Sequence, residues 1–482
     1  MRTADHAPLF MALTAREPFA VVFCFEPAVQ ASPTWDVRHW WFAYHSLLDM
    51  RETLRRHGID LHYFFADALS VFELLHEKYG IDTIYSHQET GIGITYNRDK
   101  AVAAFCREKG ILWQEHLSNG ILRGGGDNTI NDAKYRKEFV KQPSYEPHWQ
   151  LAQNAEIDAE IIERLNNKPL PKGTVEAIAP FTPDLSFQKP GEHAAHNLLE
   201  SFVNIRSRHY SNNAALCNEA HWSNSRLSAH LAFGNLSIRQ LTHVLRSLPS
   251  NKNLLAFQNR LTWRGQYIQQ FEREERLEFE NFNFAYNGIR LRHNETLYQT
   301  WANGQTGIPI VDAAMRCVIQ TGYLPFDLRA MLISVLTHHF WLDWRRGATH
   351  LAQQFLDFEP GIHFLQCQIQ ATCTGFHKIQ VCDPIKMSIA QDPQGFFIKQ
   401  WLPELAVLPT PLCHEPWRIS ALEQSWYGFV PNEHYRIPLI DLVKTKKYAE
   451  EQLQKIKSRP ITQTEAQRLM KKHRLLLPKN EF

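Results

Sequence analysis

The first 116 residues alternate between short β-forming runs and segments with helical periodicity, and this alternation restricts the fold more than any other feature of the chain. Parallel strands joined by crossover helices form a sheet that helices cover on both faces. We therefore predict a doubly wound α/β domain over residues 1–120. No G-x-G-x-x-G sequence follows a predicted strand, so no dinucleotide site is predicted there. The predicted strands are Phe19–Phe25, Leu61–Phe65, Asp82–Ser86 and Ile111–His116, and the helices between them are His39–His57, Leu69–Tyr79 and Arg98–Lys109.

The start of the sequence is incomplete for such a sheet. Ala7–Ala15 is predicted to be a helix, and no strand precedes it. In the doubly wound strand order 3-2-1-4-5, the first strand lies in the middle of the sheet. Its loss leaves a central gap and unpaired backbone groups on the neighbouring strands. We therefore expect the sequence to begin late, as a misplaced start codon would make it do.

Residues 121–195 are predicted to connect two domains, because they are polar, contain Gly124–Gly126 and are rich in proline between Pro143 and Pro190. One helix is predicted within this connector, at Asp158–Leu165. From residue 196 to 482 helical periodicity dominates, which predicts an all-α domain. The predicted helices are Leu198–Arg208, Ser237–Ser247, Leu254–Phe271, Ile310–Thr321, Leu328–Asp343, Ala348–Phe355 and Pro393–Gln400.

The C-terminal stretch Lys444–Phe482 has eleven Lys and Arg residues against four Glu. A solvated terminal helix is the favoured interpretation, and DNA contact is the alternative.

Composition excludes several classes of protein. The chain has no apolar run of membrane-spanning length and no secretory signal, which predicts a cytoplasmic protein that does not bind membranes. The eight cysteines form no C-x-x-C pair, so neither a metal site nor a redox dithiol is predicted. A net charge of +2 permits a local basic groove but does not require a nucleic-acid partner.

A series of motifs follows in the helical half of the chain. In their order and spacing they resemble the photolyase/cryptochrome family over about Tyr210 to Trp417. Segments in both halves, His87–Gly91, Tyr96–Asp99 and Phe358–His363, are similar to a less-studied bacterial branch of that family. The resemblance implies an FAD cofactor held by the helical domain and a light-driven function; whether a second, antenna chromophore binds is left open. The motifs are Asn224–Ser228, His230–Ser237, Trp263–Arg264, Gly304–Pro309, Asp312–Arg316, Asp343–Arg345, Phe355–Asp357 and Trp401–Leu405.

Two groups of residues are expected to hold FAD. Hydroxyl groups and backbone N–H groups at a turn that opens a helix can bind phosphate, although Ser225 and Ser228 also suit an ordinary N-cap. A buried Arg329–Asp357 pair would relieve the cost of burying either charge alone, and a plain salt bridge between helices is the alternative. The resemblance places the FAD pyrophosphate at the turn and the ion pair against the flavin ring. The further FAD contacts that it implies are Tyr210, Asn224, Arg226, Leu227, Arg264, Tyr267 and Glu359.

The resemblance assigns His363 to the position that faces flavin N5, where a histidine can donate a hydrogen bond or exchange a proton. Of the three relay tryptophans of the family, only Trp344 is in register, because Cys367 and Leu291 occupy the other two positions. Trp344 and His363, together with Arg329 and Asp357, form the predicted catalytic set. Trp341, Tyr323 and Trp301 are candidates for an alternative relay.

The predicted lesion pocket departs from the family pattern. Trp263 matches a tryptophan that stacks on a flipped pyrimidine dimer, and a core tryptophan is the alternative. Arg260, Phe326 and Ile369 replace the usual Glu, Asn and second Trp of the pocket. Arg260 can still donate to pyrimidine carbonyls or to a phosphate.

We expect a cyclobutane pyrimidine dimer photolyase that acts as a monomer on DNA containing UV photoproducts. A cryptochrome-type photoreceptor is the alternative, and an FAD protein without a light function is a third interpretation.

Overall fold

The computed structural model describes residues 1–125, 131–166 and 187–473. It divides into two compact units. The first unit contains Met1–Ile205, Ser225–Glu275 and Leu356–Gly361, and the second contains Arg206–Asn224, Arg276–Phe355 and Ile362–Phe482. These units are defined by contacts in the structure, whereas the boundaries predicted at residues 120 and 195 come from composition along the sequence. Those boundaries stay a prediction.

The strands of the first unit form two parallel pairs, which confirms the α/β class. Strand β1 pairs with β2 from Val21↔Leu61 to Cys24↔Phe64, and β3 pairs with β4 from Thr83↔Leu112 to His87↔His116. Within the described residues no hydrogen-bond ladder joins the two pairs. The predicted central gap in the sheet therefore falls between β1–β2 and β3–β4. The strands are β1 Val21–Cys24, β2 Leu61–Phe64, β3 Thr83–His87 and β4 Leu112–His116.

Eleven of the first thirteen described helices belong to the first unit. Most of the helices predicted in the α/β region are confirmed. The helix at Ala7–Ala15 has the predicted bounds, and the helix before Gly80 ends as predicted, with Gly80 at a φ of 69° that favours glycine. The connector helix is also confirmed, one residue later than predicted. In chain order these helices are α1 Ala7–Ala15, α2 Pro27–Gln30, α3 Val37–Arg55, α4 Ala68–Tyr79, α5 Gly93–Lys109, α6 Asp132–Phe139, α7 Ala159–Asn166, α8 Glu192–Asn204, α9 Tyr210–Asn213, α10 Cys217–Ser223, α11 Ser228–Ala232, α12 Ile238–Ser247 and α13 Lys252–Arg273, of which α9 and α10 are in the second unit.

Helix α1 packs into the core of the first unit. Leu9 and Leu13 are buried in one cluster with Phe25, Trp40 and Leu61, and Val21 and Phe23 of β1 pack against that cluster. Helix α1 also contacts strands β3 and β4. A helix therefore touches both strand pairs at the predicted break in the sheet.

The second unit is helical, as predicted for this part of the chain. Its motif Gly304–Pro309 forms a buried loop around Asp312, whose carboxylate accepts hydrogen bonds from the Thr306 N–H and hydroxyl, the Gly307 N–H and the Tyr435 hydroxyl. These residues of the motif thus have a structural role. The remaining helices are α14 Glu295–Ala302, α15 Pro309–Thr321, α16 Phe326–Ser334, α17 Trp344–Gln354, α18 Pro360–Gln370, α19 Pro384–Gln391, α20 Phe396–Trp401, α21 Thr410–His414, α22 Ala421–Tyr427, α23 Leu442–Lys457 and α24 Pro460–His473.

Two predictions in the second unit are wrong. The helix predicted at Leu328–Asp343 ends at Ser334 and continues as a π-helical turn, Val335–His339. The solvated C-terminal helix is instead two helices, and each buries one apolar face that includes Leu453 on α23 and Leu469 on α24. The prediction for residues 474–482 lies outside the described residues, as do those for 126–130 and 167–186. No helix in the described part of the chain is long and apolar enough to cross a membrane.

Short 3₁₀ turns complete the backbone of both units. They are Arg123–Gly125, Trp149–Leu151, Arg206–His209, Glu275–Glu278, Phe284–Tyr286, Pro403–Leu405 and Pro416–Arg418.

Candidate functional site

The predicted pyrophosphate segment is a tight turn that leads into α11. Arg226 has a φ of 60°, in the left-handed region, and the Ser225 hydroxyl accepts a hydrogen bond from the Leu227 N–H at 3.3 Å. The Arg226 carbonyl accepts a hydrogen bond from the Gln188 side chain at 2.6 Å. Leu227 is buried, whereas Ser225 and Ser228 are half-buried. The turn therefore places two half-buried serines at the start of a helix, where hydroxyl and backbone N–H groups can contact phosphate.

Helix α13 carries four of the predicted site residues. The Arg264 guanidinium donates to the Glu359 carboxylate at 2.8 Å, and both side chains are largely buried. Burial raises the pKa of Glu359, and the adjacent Arg264 opposes that rise. Tyr267 is half-buried one turn further along the same helix. The Arg264–Glu359 ion pair thus ties α13 to the segment that contains Asp357.

The Asp357 segment is held on both sides of the carboxylate. Leu356 is buried in a cluster with Phe42 and Ala229. Gly361 lies so close to α13 that a Cβ atom there would be 2.7 Å from the Ile268 Cα. Asp357 itself is half-buried. The backbone around this carboxylate is therefore fixed within the first unit.

Arg260 and Trp263 lie one turn apart on α13 and contact each other. The Arg260 guanidinium carbon is 4.8 Å from the centre of the Trp263 ring, which is a cation–π distance. Arg260 is exposed and Trp263 is half-buried. Trp263 is therefore not a core tryptophan, and a guanidinium occupies one face of its ring.

In the second unit, aromatic rings hold Arg329. Its Nε donates to the Leu324 carbonyl at 2.7 Å, and its guanidinium carbon is 4.1 Å from the ring centre of Phe355 and 5.4 Å from that of Tyr323. Arg329 and Asp357 belong to different units, and their predicted pairing stays a prediction.

Asn224 also reaches Tyr323, which the sequence suggested only as a relay candidate. The Asn224 amide donates to the Tyr323 hydroxyl at 2.8 Å, and the Asn224 carbonyl accepts a hydrogen bond from Arg206. Tyr323 thus contacts both Asn224 and Arg329 within the second unit. Almost one hundred residues separate Asn224 from Tyr323, and no local pattern in the sequence signals this contact.

The His363 ring is fixed by the backbone of α17. Its Nε2 lies 2.8 Å from the Ala348 carbonyl oxygen and 3.7 Å from the Cys367 sulfur. Because a carbonyl can only accept, Nε2 must carry the proton in this arrangement. Nδ1 is then the acceptor atom of the neutral ring.

The predicted relay residues lie in different environments. Trp344 is 1% exposed, and its indole N–H donates to the Asn281 side chain at 2.7 Å. Burial raises the pKa of the Cys367 thiol, so the sulfur beside His363 stays protonated. Leu291 is 83% exposed, which is where a terminal relay residue would meet solvent. Trp301 is fully buried and donates to the Leu332 carbonyl at 2.9 Å.

The other predicted site residues of the second unit are less enclosed. Phe326 is 42% exposed at the start of α16, and Ile369 is half-buried near the end of α18. Tyr210 is half-buried as the first residue of α9. Among the residues that the structure describes, no cluster of three or more His, Cys, Asp or Glu side chains could hold a metal ion.

These residues fit a flavin nucleotide by their chemistry. Hydroxyl groups at a helix start suit a pyrophosphate, a shielded guanidinium suits a ring that gains negative charge on reduction, and an imidazole acceptor suits a ring N–H. None of these groups is a metal ligand set or a nucleophile–base pair.

Two family models match separate parts of this chain. A family model described as DNA photolyase matches residues 1–136, and one described as the FAD binding domain of DNA photolyase matches residues 257–455.

The curated relatives are named either as cryptochromes or as photolyases. The chain is 27% identical over 474 residues to cryptochrome DASH of Natronomonas pharaonis, covering 92% of this chain and 96% of that protein. It is 25% identical over 468 residues to a deoxyribodipyrimidine photo-lyase of Alkalihalophilus pseudofirmus, covering 93% and 95%. It is also 27% identical over 411 residues to cryptochrome-1 of Drosophila melanogaster, covering 77% and 75%.

Solved structures share the fold. A bacterial class III photolyase from Agrobacterium tumefaciens superposes with a TM-score of 0.80 at 21% identity, over 95% of this chain and 96% of that one. An archaeal photolyase from Sulfolobus tokodaii, solved with two FAD molecules, gives a TM-score of 0.76 at 24% identity, over 94% and 97%.

Proposed function

This chain belongs to the photolyase/cryptochrome family and carries its FAD-binding domain, and from that premise we propose that it is a monomeric DNA-repair enzyme that splits cyclobutane pyrimidine dimers in light. Membership of this family supports a light-dependent flavoprotein function. Repair rests chiefly on Trp263, a half-buried indole on α13 that is paired with a guanidinium donor.

Different residues are assigned to different parts of the cofactor. Ser225, Ser228 and Asn224 are the residues that would hold the FAD pyrophosphate, and Arg329 and Asp357 are those that would orient the flavin ring. Reduced FAD, when bound and excited by light, supplies the electron that opens the dimer. The protein therefore has to hold the dimer near the cofactor and exclude water, rather than provide a nucleophile.

Trp263 provides a flat surface for a flipped pyrimidine dimer, because stacking requires no particular base sequence. Arg260 donates hydrogen bonds to pyrimidine carbonyls or to a backbone phosphate. To do so it must leave the face of Trp263 or share it with the dimer. A cation–π contact at an exposed site is weak enough for that exchange.

His363 is the residue assigned to the flavin N5 position. Since its Nε2 donates to the Ala348 carbonyl, the neutral ring offers Nδ1 as an acceptor. With FAD bound, Nδ1 would accept a hydrogen bond from a protonated ring nitrogen, and it could take up a proton while Nε2 keeps its bond to Ala348.

The test is a repair assay on the FAD-loaded protein after chemical reduction, with an oligonucleotide that contains one thymine dimer. Chemical reduction bypasses the relay, so the assay reports on the pocket alone. We expect the dimer to disappear in light and to persist in the dark. Trp263→Ala should slow repair roughly tenfold or more, whereas Trp426→Ala, which removes an indole that is 68% exposed on α22, should leave it unchanged.

A cryptochrome-type photoreceptor is the second candidate, and one observation favours it. The rewritten pocket residues Arg260, Phe326 and Ile369 leave few of the usual lesion contacts. A protein that binds FAD, changes its flavin absorption in light and leaves the dimer intact after chemical reduction would support the photoreceptor and refute repair of this lesion.

A further inference from the structure

Tyr323 is fixed by its backbone in the short loop between α15 and α16. Helix α15 stops before Gly322, whose φ of 71° is in the left-handed region that favours glycine. The Tyr323 N–H donates to the Thr321 hydroxyl at 3.2 Å, and the same hydroxyl lies 3.1 Å from the Tyr323 carbonyl oxygen. Tyr323 is 9% exposed. The end of α15 therefore determines the direction in which this side chain leaves the loop.

The Tyr323 side chain contacts two residues that are far from each other in the sequence. Its hydroxyl accepts a hydrogen bond from the Asn224 amide at 2.8 Å, and the centre of its ring is 5.4 Å from the Arg329 guanidinium carbon. The next residue of the loop, Leu324, accepts a hydrogen bond from Arg329 Nε at 2.7 Å. All four residues belong to the second unit. One loop therefore contacts both Asn224 and Arg329.

The contact with the Tyr323 hydroxyl determines the orientation of the Asn224 amide. The terminal torsion of an asparagine side chain has a broad energy profile, so an unbonded amide samples several orientations. The bond to Tyr323 uses one N–H group and directs the other amide atoms away from the tyrosine. The Asn224 backbone is held as well, because its carbonyl accepts a hydrogen bond from Arg206. An amide held in this way loses less conformational entropy when a ligand binds to it.

The contact with the Tyr323 ring orients the Arg329 guanidinium. A second ring, that of Phe355, lies on this guanidinium as well, with its centre 4.1 Å from the guanidinium carbon. An aromatic face attracts a cation through its quadrupole and carries no net charge. The two rings and the Leu324 carbonyl therefore hold the guanidinium in place without neutralising it.

We propose that Tyr323 is a positioning residue that holds Asn224 and Arg329 in a fixed relation for the binding of one FAD molecule. This role rests on the proposed assignment of Asn224 to the pyrophosphate and of Arg329 to the flavin ring. The hydroxyl acts on Asn224 and therefore on the affinity for FAD. The ring acts on Arg329 and therefore on the reduction potential, because a nearby positive charge stabilises a flavin that gains negative charge on reduction. Unlike a relay role, this role requires no electron transfer through Tyr323.

The first experiment measures FAD release from the FAD-loaded protein in the dark, by the rise in fluorescence of free FAD after dilution. Tyr323→Phe keeps the ring and removes only the hydroxyl. We expect it to accelerate release roughly fivefold to tenfold, the change expected for one lost hydrogen bond. Asn224→Ala should accelerate release at least as much, since it also removes the contact with FAD. The double variant should match Asn224→Ala, because the Tyr323 hydroxyl acts only through Asn224.

The second experiment measures the flavin reduction potential of the same FAD-loaded proteins. Tyr323→Leu removes the ring together with the hydroxyl, so Arg329 loses one of its two aromatic contacts. We expect Tyr323→Leu to lower the potential and Tyr323→Phe to leave it unchanged. A purely structural role for Tyr323 would not separate the release rate from the potential in this way.

The matched control is Tyr298 on α14, whose ring centre is 3.8 Å from the Arg346 guanidinium carbon. It is another tyrosine of the second unit that contacts an arginine, and neither residue is assigned to FAD. Tyr298→Phe and Tyr298→Leu should leave both the release rate and the potential unchanged.

Two results would overturn the role of Tyr323 and keep the assignment of Asn224 to FAD. They are FAD release from Tyr323→Phe at the unchanged rate, and effects of Tyr323→Phe and Asn224→Ala that multiply in the double variant. If Asn224→Ala itself releases FAD at the unchanged rate, the assignment of Asn224 to FAD fails, and the role of Tyr323 fails with it. Neither experiment uses DNA or light, so the outcome is independent of repair activity.

Discussion

Trp344 and Trp301 show how closely two residues can match in structure while differing in expected role. Both indoles are buried in the second unit, and each donates one hydrogen bond, to Asn281 and to the Leu332 carbonyl. The sequence motifs predict a match to a relay tryptophan of the family for Trp344 and not for Trp301. Replacing either by Phe removes the same N–H and nearly the same volume, so a difference between the two variants reports on electron transfer.

We expect Trp344→Phe to slow light-driven reduction of the bound FAD by about tenfold or more, equivalent to about 1.4 kcal/mol in the barrier. Trp301→Phe should change that rate little. The measurement is the loss of oxidised-flavin absorbance under blue light with an external reductant. If both variants photoreduce like the unchanged protein, Trp344 is not part of the route. If only Trp301→Phe is slow, the relay runs through Trp301.

Sequence could identify single residues only where a motif surrounds them. His363 and Trp344 lie within motifs, and the structure gives each a defined hydrogen-bond partner. The bond from Asn224 to Tyr323 and the stacking of Arg329 on Phe355 could not be predicted, because they join residues far apart in the sequence. The stacking of Arg260 on Trp263 joins near neighbours, but side-chain rotamers rather than spacing decide it.

At the level of elements, hydrophobic periodicity and helix stop signals located most helices. Periodicity failed where the backbone hydrogen bonds change from the α-helical to the π-helical pattern within one segment. Gly80 ends α4 as predicted. The segment after Ser334 stays apolar, so its pattern predicts a continuous helix to Asp343. The backbone instead widens into the π-helical turn at Val335–His339. Hydrophobic periodicity does not distinguish these two bonding patterns over so few residues.

Helices α5 and α13 are joined by a buried carboxyl group that the sequence did not single out. The Tyr96 hydroxyl donates to Glu272, and the Gly124 N–H approaches the other carboxylate oxygen at 3.4 Å. Burial raises the pKa of Glu272 to about 7, while Tyr96, Gly124 and Arg123 oppose the rise and Glu359 adds to it. The junction therefore favours the protonated carboxyl.

This pKa makes the stability of the protein depend on pH. The carboxyl binds its proton more tightly in the folded than in the unfolded chain, so its contribution is full below the unfolded pKa and is lost as pH rises through about 7. Between about pH 5 and about pH 8 we expect the free energy of unfolding to fall by roughly 2 to 3 kcal/mol relative to Glu272→Gln. Urea unfolding of both proteins measures the difference.

The control for this prediction is Glu52→Gln, which neutralises an exposed carboxylate on α3. It should follow the unchanged protein at both pH values. Parallel pH profiles for the unchanged protein and Glu272→Gln would show that Glu272 is not the group responsible.

Across the whole molecule, the compact units and the domains read from composition partition the chain differently. Composition changes along the sequence and therefore marks a boundary near residue 195. The first unit, however, also includes Ser225–Glu275 and Leu356–Gly361. Ala229 and Leu356 complete a buried cluster with Phe42 and Phe187. Such contacts join distant parts of the chain, and no local change of composition marks them.

Asp5 shows what a cut at the predicted boundary would remove. Its carboxylate accepts hydrogen bonds from Ser237 at 2.6 Å and from Arg239 at 2.7 Å, and it is 4% exposed. A fragment of residues 1–195 would leave this charge buried without its cation, which is strongly destabilising. We expect that fragment to unfold without a cooperative thermal transition, and a fragment of residues 1–275 to be more resistant, because it keeps α12 and α13. Circular dichroism during heating measures both. A sharp transition in the shorter fragment would mean that the α/β part folds alone, and the boundary read from composition would then be the physical one.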